Sequence, residues 1–360
     1  MQASLLPNPE IEVEVEEAGG TGERSGFDSA QTTIALGQLI ELADKPRKRT
    51  KLASLEKQLA GWDYEAKRLD VLTESTKAYI EVLGAQQQVK LAEQLMEISE
   101  KLVASVDHRV KAGKDSPVEK TKSEIVLARA SIQNRKARQN LEFTRKQLAA
   151  AWGSKAVTFD SVTGRLDVVY PLPPIDTLLE LTAQNPDVAR WAVEIDRRKA
   201  DLELEKANSI TDPAVFGGIQ RFNDTDDNAV VFGLSIPLPV TNRNQGNILA
   251  ASHNLAKVRE QQRQAETLIY TNLNNSYTTL SNAYTEATDM KNKVLQGAKE
   301  SFNATVEAYR EGKVDYLALL DAQRTLFEAE AQYIDALVSY HKAKADIERL
   351  IGQEITVKKF

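Results

Sequence analysis

The chain has 360 residues, of which 27% are charged and only 6% aromatic, with 46 basic against 52 acidic side chains and no cysteine. Nearly balanced charge argues against the basic face of a nucleic-acid binder, and the lack of thiols excludes disulfides and thiolate metal centres. No stretch approaches the ~20 consecutive apolar residues of a membrane-spanning helix, and "MQASLLPNPE" has neither the basic start nor the apolar run of a signal peptide.

The first element is a strand. In "NPEIEVEVEE" side chains alternate, so Glu10, Glu12, Glu14 and Glu16 share one face while Ile11, Val13 and Val15 share the other. "AGGTGERSG" is a turn signal, and the alternating run after it completes a hairpin. A helical pattern free of proline then runs from about Arg47 to Ala112, with Leu91, Leu95, Ile98, Leu102 and Val106 on one stripe. At 1.5 Å per residue such a run spans roughly 100 Å, more than a globular core needs, and reads as coiled coil or helical tube. Gly113-Lys114 turns the chain into a return helix that ends at Gly153. The segment 154–173 is punctuated by Gly and Pro, carries short β-prone runs, and reads as a belt or connector.

"PPIDTLLELTAQNPDVARWAVEIDRRKADLELEKANS" reads as one amphipathic helical segment leading to a second strand start at Asp212-Pro213. Around the turn "NDTDDN" a second hairpin is expected, with Val230, Phe232, Leu234 and Ile236 on one face. A second proline-free run extends from about Arg243 to Glu311, and Gly312-Lys313 turns it back. In the last helix Leu319, Leu326, Tyr333, Tyr340 and Ile347 recur every seven residues, followed three places on by Ala322, Ala329, Ala336, Ala343 and Leu350. That is a heptad seam with small residues that let helices approach closely.

The order of elements is one unit written twice. The interval from Gly113 to Gly153 and from Gly312 to Gly352 is 40 residues in both copies, and Pro9 falls opposite Pro213. The expected organisation is a first repeat over 1–153, the connector over 154–173, a second repeat over 174–352 and a tail over 353–360. Met1 falls opposite Glu205, so the chain is expected to begin inside a structural unit, without an N-terminal helix or two and without an export signal. The fold class is mainly α with a small β part of four strands.

Strand alternation alone fits a half-buried sheet packed on helices better than a barrel in lipid. Helices too long for a packed core argue for the barrel, whose strands alternate lipid-facing and lumen-facing residues. Four strands cannot close a useful pore, so several chains would have to contribute. No nucleophile, cofactor box or metal-ligand spacing is present. His108, His253 and His341 stand far apart on helices, and "GGTG" lacks the strand-to-helix context of a phosphate loop. No enzyme activity, cofactor or bound metal is expected.

"YREGKVDYLALLDAQRTLFEAEAQY" at the second helical turn, with "LLPNPEI" and "TDPAV" at the strand starts, resembles the TolC-like outer-membrane factors of Gram-negative tripartite efflux pumps, over essentially the whole chain. "IPLPVTNRNQGNILAA" and "LGQLIELADKPRKR" look most like the branch serving heavy-metal pumps of the cobalt-zinc-cadmium type. The resemblance implies a homotrimer whose strands close a 12-stranded barrel in outer-membrane lipid and whose helices continue as a tube into the periplasm. A periplasmic adaptor and an inner-membrane pump, of the RND type in this branch, would dock on the far end, and the cargo would be divalent heavy-metal cations. An acidic residue at the Asp321 position narrows the periplasmic mouth in that family, and Asp315 stands beside it. Arg109, Gly113, Lys114, Arg310, Gly312 and Lys313 mark the tips where the adaptor would bind. Ile11, Val13, Val15, Val230, Phe232, Leu234 and Ile236 would face lipid, and the glutamates a watery lumen. The alternatives are a channel for drugs or other organic compounds in the same family, and a periplasmic coiled-coil adaptor or scaffold. The duplicated hairpin unit disfavours the scaffold.

Overall fold

A computed structural model describes residues 1–355; residues 356–360, most of the expected tail, lie outside the described residues. The elements are strands β1 (Glu10–Glu16) and β2 (Gln31–Leu39), helices α1 (Lys45–Lys111), α2 (Pro117–Ala151), α3 (Ile175–Thr182) and α4 (Pro186–Asn208), and strands β3 (Ala214–Phe222) and β4 (Asn228–Ser235). Helices α5 (Gln245–Asp289), α6 (Leu295–Arg310) and α7 (Tyr316–Ile351) complete the chain. Residues Met290–Val294 between α5 and α6 form a π-helical turn.

The chain forms two compact units, one of residues 1–63 and 189–265, the other of 64–188 with the residues from 266 on. Each unit takes residues from both sequence repeats. The first contains the sheet, an antiparallel meander in the order β1-β2-β3-β4. Its central pair joins the two repeats, with Ile34 opposite Ile219. Below the strands Lys45 is buried, and its ammonium meets Asp212 at 2.7 Å and the Ile210 carbonyl at 2.6 Å. Asp212 also accepts from the Leu42 amide at 2.8 Å, so this carboxylate ties the start of α1 to the start of β3.

The second unit holds the helical core. Leu319, Leu326, Tyr340 and Ile347 of the heptad are buried, as are Ala329, Ala336 and Ala343. The connector has no helix or strand and is a strap held by side chains. Gln86 exchanges two hydrogen bonds with Val162 at 2.9 and 2.8 Å, and the Tyr340 hydroxyl bonds both the amide and the carbonyl of Tyr170 at 3.0 and 3.1 Å. Strand-like composition there is used to satisfy backbone groups against helices instead of against another strand.

Two expectations need correction. The segment expected as one amphipathic helix is two, broken between Thr182 and Pro186. Proline disfavours helical backbone at the residue before it. That residue, Asn185, is fully buried and spends its side chain on the Arg349 and Leu350 carbonyls at 2.8 and 3.0 Å and on the Asp187 amide at 2.8 Å. The second long run is also not one α-helix, because the π turn divides it.

Candidate channel site

Strand register decides which side chains share a face. Residues directly opposite one another lie on the same side of a sheet. Ile11 pairs with Leu36 and Val13 with Ile34 across β1 and β2. Leu36 then pairs with Gly217 and Ile34 with Ile219 on β3, and these pair with Phe232 and Val230 on β4. Val15, Val215 and Leu234 belong to the same face. The expected lipid-facing residues of both hairpins therefore form one apolar surface across all four strands. Ile11 is 74% and Phe232 82% exposed. Ile236 lies one residue beyond the end of β4 and is exposed as well. At the hairpin end the surface turns polar at Thr32, Arg221 and Asn228, which pair in one row, and Arg221 is ion-paired to Asp226 in the loop.

The opposite face carries Glu10, Glu12, Glu14 and Glu16, with Thr33, Gln31 and Gln220 beside them. Small residues dominate its centre. Gly218 sits where a Cβ would come within 2.4 Å of the Ile34 carbonyl, so β2 and β3 approach closely only because that position is glycine.

Both helix tips are built alike. At the first, the Gly113 amide donates to Val110 O at 3.0 Å and the Lys114 amide to Arg109 O at 2.9 Å. At the second, Gly312 donates to Tyr309 O at 3.0 Å and Lys313 to Ala308 O at 2.8 Å. Gly113 and Gly312 have φ of 70° and 75°, the left-handed conformation that ends helices at least cost in glycine. The next helix starts on a capping side chain in each case, Ser116 for α2 and Asp315 for α7, whose carboxylate accepts from the Ala318 amide at 2.9 Å. Asp315 is thus occupied as a helix cap. Asp321, six residues further along in α7, is exposed and accepts from Arg324 at 2.7 Å.

Among the basic residues expected at the tips, Arg109 is engaged inside the molecule. Its guanidinium makes a two-pronged pair with Asp115 at 2.8 and 2.9 Å and stacks on the Tyr309 ring at 4.7 Å from its centroid. The Tyr309 hydroxyl donates to the same carboxylate at 2.9 Å. Hydrogen bonds from Arg109 hold the Asp115 carboxyl below its ordinary range, and burial with the nearby carboxylate pushes the Tyr309 hydroxyl up. This triad joins the first tip to the helix leading to the second. Nearby, Asp107 is hydrogen-bonded by Lys111 at 2.6 Å and Lys120 at 2.7 Å, which lowers its pKa to about 2. Lys114, Arg310 and Lys313 are exposed. Asp115 and Tyr309 were not evident as site residues in the sequence. Tyr309 lies seven residues after Phe302, a spacing that marks it as core, and nothing local distinguishes Asp115 from a solvated turn acid.

His341 is half-buried with Nε2 2.8 Å from the Leu166 carbonyl, its pKa lowered by burial, and it serves the strap. Among the described residues no group of three or more His, Asp or Glu is arranged to hold a metal ion, and no helix is long and apolar enough to cross a membrane.

A family model described as outer membrane efflux protein matches residues 2–154 and 178–353. The chain belongs to the outer membrane efflux protein family. The cobalt-zinc-cadmium resistance protein CzcC of Cupriavidus metallidurans is 34% identical over 353 residues, which are 98% of this chain and 83% of CzcC. Among solved structures, a membrane protein from Pseudomonas aeruginosa superposes with a TM-score of 0.80 at 17% identity, covering 98% of this chain and 83% of its own. CusC, solved in a study of folding and transmembrane channel formation, gives 0.79 at 15% identity, covering 98% and 85%. The TolC-like fold with its duplicated unit is therefore the fold of this efflux protein, and its place is the outer membrane.

Proposed function

We propose that this efflux protein works as a passive trimeric conduit carrying divalent heavy-metal cations out through the outer membrane, coupled to a periplasmic adaptor and an inner-membrane pump of the RND type. The observation that carries the conduit is the apolar face continuous over four strands, with a row of four glutamates on the opposite side. Lipid accepts the first surface and would reject the second. Strands β1 and β4 are the edges of the described sheet, and edges in a bilayer must be paired, which three copies closing a 12-stranded barrel would achieve. The cation reading is supported by that glutamate row, by Asp321 near the second tip, and by similarity to CzcC, whose name carries cobalt, zinc and cadmium resistance. Acidic rings lining a pore favour cations. The adaptor reading places its contacts at Gly113, Lys114, Arg310, Gly312 and Lys313, while Arg109 acts by holding the tip together.

Purified protein in detergent should sediment as a trimer and give cation-selective conductance in planar bilayers. A deletion strain should gain sensitivity to zinc, cobalt or cadmium and not to organic drugs. A non-conducting monomer would refute the conduit, and a drug-only phenotype would refute the metal cargo.

A further inference from the structure

The apolar face of the sheet does not stop where the strands do. Ile40 continues β2 past its last residue, with its amide on the Pro213 carbonyl at 2.9 Å, and is 42% exposed. On the other hairpin Ile236, Leu238 and Val240 follow β4 and are exposed as well, in a segment tied back by the Thr211 hydroxyl on the Pro237 carbonyl at 2.7 Å. Leu5 and Leu6 are exposed too, and the Leu5 carbonyl accepts from Arg49 at 2.8 Å, which sets that segment beside the start of α1. Cations follow at once in both repeats. Helix α1 opens with "KPRKRTK" and has no acidic residue in its first turn. Lys45 and Arg49, one turn apart, are spent inside the molecule, on Asp212 at 2.7 Å and on Glu41 at 2.6 Å. At roughly 100° per residue, Arg47, Lys48 and Lys51 fall on the other side of the helix. The Arg47 side chain is 86% exposed, 3.7 Å from Asp44. Glu203 of α4, bonded by Lys206 at 2.8 Å, meets Lys48 and Lys51 only through space. Arg243 stands at the corresponding place before α5, exposed, with its Nε–H on the Pro239 carbonyl at 3.1 Å. The hairpin end of the sheet is the reverse. Its loops carry Glu23, Asp28, Asp224 and Asp227, and the cations there, Arg24 and Arg221, are ion-paired to Glu17 and Asp226.

We propose that the helix end of the sheet is a headgroup belt, in which Leu5, Leu6, Leu238 and Val240 rest among acyl chains while Arg47, Lys48, Lys51 and Arg243 bind the phosphodiesters of anionic phospholipids in the periplasmic leaflet. Arg and Lys placed just beyond an apolar band lay their stems on it and carry their charge out to the headgroups. An anionic leaflet attracts such a cluster with a strength that grows with each basic residue near its surface. The acidic loops at the other end of the sheet are repelled by the same lipids, so the two ends orient the sheet as well as anchor it. Pairing Lys45 and Arg49 inward fixes the first turns of α1 against β3 and the N-terminal segment, and this holds the outward cations in place. The belt rests on the channel reading above for which face meets lipid, while the order of apolar residues and outward cations stands apart from it.

The test uses the full chain reconstituted in phosphatidylcholine vesicles with a trace of spin-labelled phosphatidylglycerol or spin-labelled phosphatidylcholine. Lipid held at the protein surface should favour phosphatidylglycerol by at least about threefold. The combined variant Arg47→Gln, Lys48→Gln, Lys51→Gln and Arg243→Gln should lose that preference with its helical content unchanged, and Arg47→Lys with Arg243→Lys should keep it. If the glutamine variant does not insert, salt decides the matter on the unsubstituted protein. The preference should fall toward unity between about 0.1 M and 1 M salt, as the screening length shrinks from about 10 Å to about 3 Å. Equal retention of the two lipids at low salt, a preference unmoved by salt, or one that survives in the glutamine variant would each overturn the belt. Inorganic phosphate at constant ionic strength should leave the preference in place, and its loss to phosphate would assign the cations to a free anion and overturn the lipid. Conductance across the same vesicles separates the two readings. Preference without current refutes the conduit and leaves the belt, and current without preference refutes the belt alone.

Discussion

Asp115 does more than its place in a turn suggests. Its carboxylate accepts from Arg109 twice and from Tyr309 once, and its side chain is 6% exposed. Hydrogen bonds to a charged group of this kind contribute about 1.5–3 kcal/mol each when deleted singly. A carboxyl whose folded pKa is depressed adds stability that is fully present above its unfolded value near 3.9 and is lost as pH falls through the lower folded value. Asp115→Asn keeps the shape and removes the charge. It should lower stability of the tip at neutral pH by ~1–3 kcal/mol and flatten the acid limb below about pH 4. Hydrogen exchange of tip amides as a function of pH measures both effects, and an unchanged acid limb in the variant would remove Asp115 from that role. The glycines of the two tips were legible because αL geometry leaves few choices. The triad was not, because it depends on Tyr309 reaching a carboxylate 194 positions away in the chain.

At the scale of elements, the strands were legible down to the face each side chain takes. Period two fixes the face within a strand, and only the register adds that both hairpins offer their apolar faces to the same side. Val13→Arg puts a cation in the middle of that surface and should cost ~2–4 kcal/mol at the bilayer midplane, seen as loss of heat-resistant oligomer in outer-membrane fractions. Glu12→Gln, on the other face, should leave assembly intact. The glycines of β3 separate similarly. Gly218→Ala drives a methyl into the backbone of β2 and should destabilise the sheet by ~1–3 kcal/mol in thermal melts. Gly217→Ala meets the Phe232 ring at 3.3 Å and the Val231 carbonyl at an ordinary 3.9 Å, and should be tolerated. The helices were legible as long runs but not in their interruptions. The interval from Met290 to Leu295 carries the π turn in plain view, yet a single extra residue hides inside a pattern that otherwise scans as helix. The break before Pro186 rests on a buried asparagine whose partners lie on α7, outside any local window.

For the molecule as a whole, selectivity at the mouth of the proposed trimer would depend on the sum of charges that three copies bring together. Along one exposed stripe of α7, Arg324 stands 2.7 Å from Asp321 and 3.9 Å from Glu328. Each copy would thus contribute two negative charges and one positive, and the proposed trimeric ring would keep a net negative sign only because the second carboxylate is there. The sequence brings forward Asp321 and Asp315 for the gate, and neither Arg324 nor Glu328. Removing the cation should act opposite to removing the anion. Arg324→Gln should raise cation preference and Asp321→Asn should lower it, read as shifts of opposite sign in reversal potential across a salt gradient. Both shifts should shrink as ionic strength rises from about 0.1 M to 1 M, since the screening length falls from about 10 Å to about 3 Å. A specific metal site formed by Asp321 would behave differently, because directly bound carboxylates are screened far less. If both substitutions leave the reversal potential unchanged at low salt, these side chains do not line the pore, and the acidic constriction must be sought elsewhere, beginning with the glutamate row of β1.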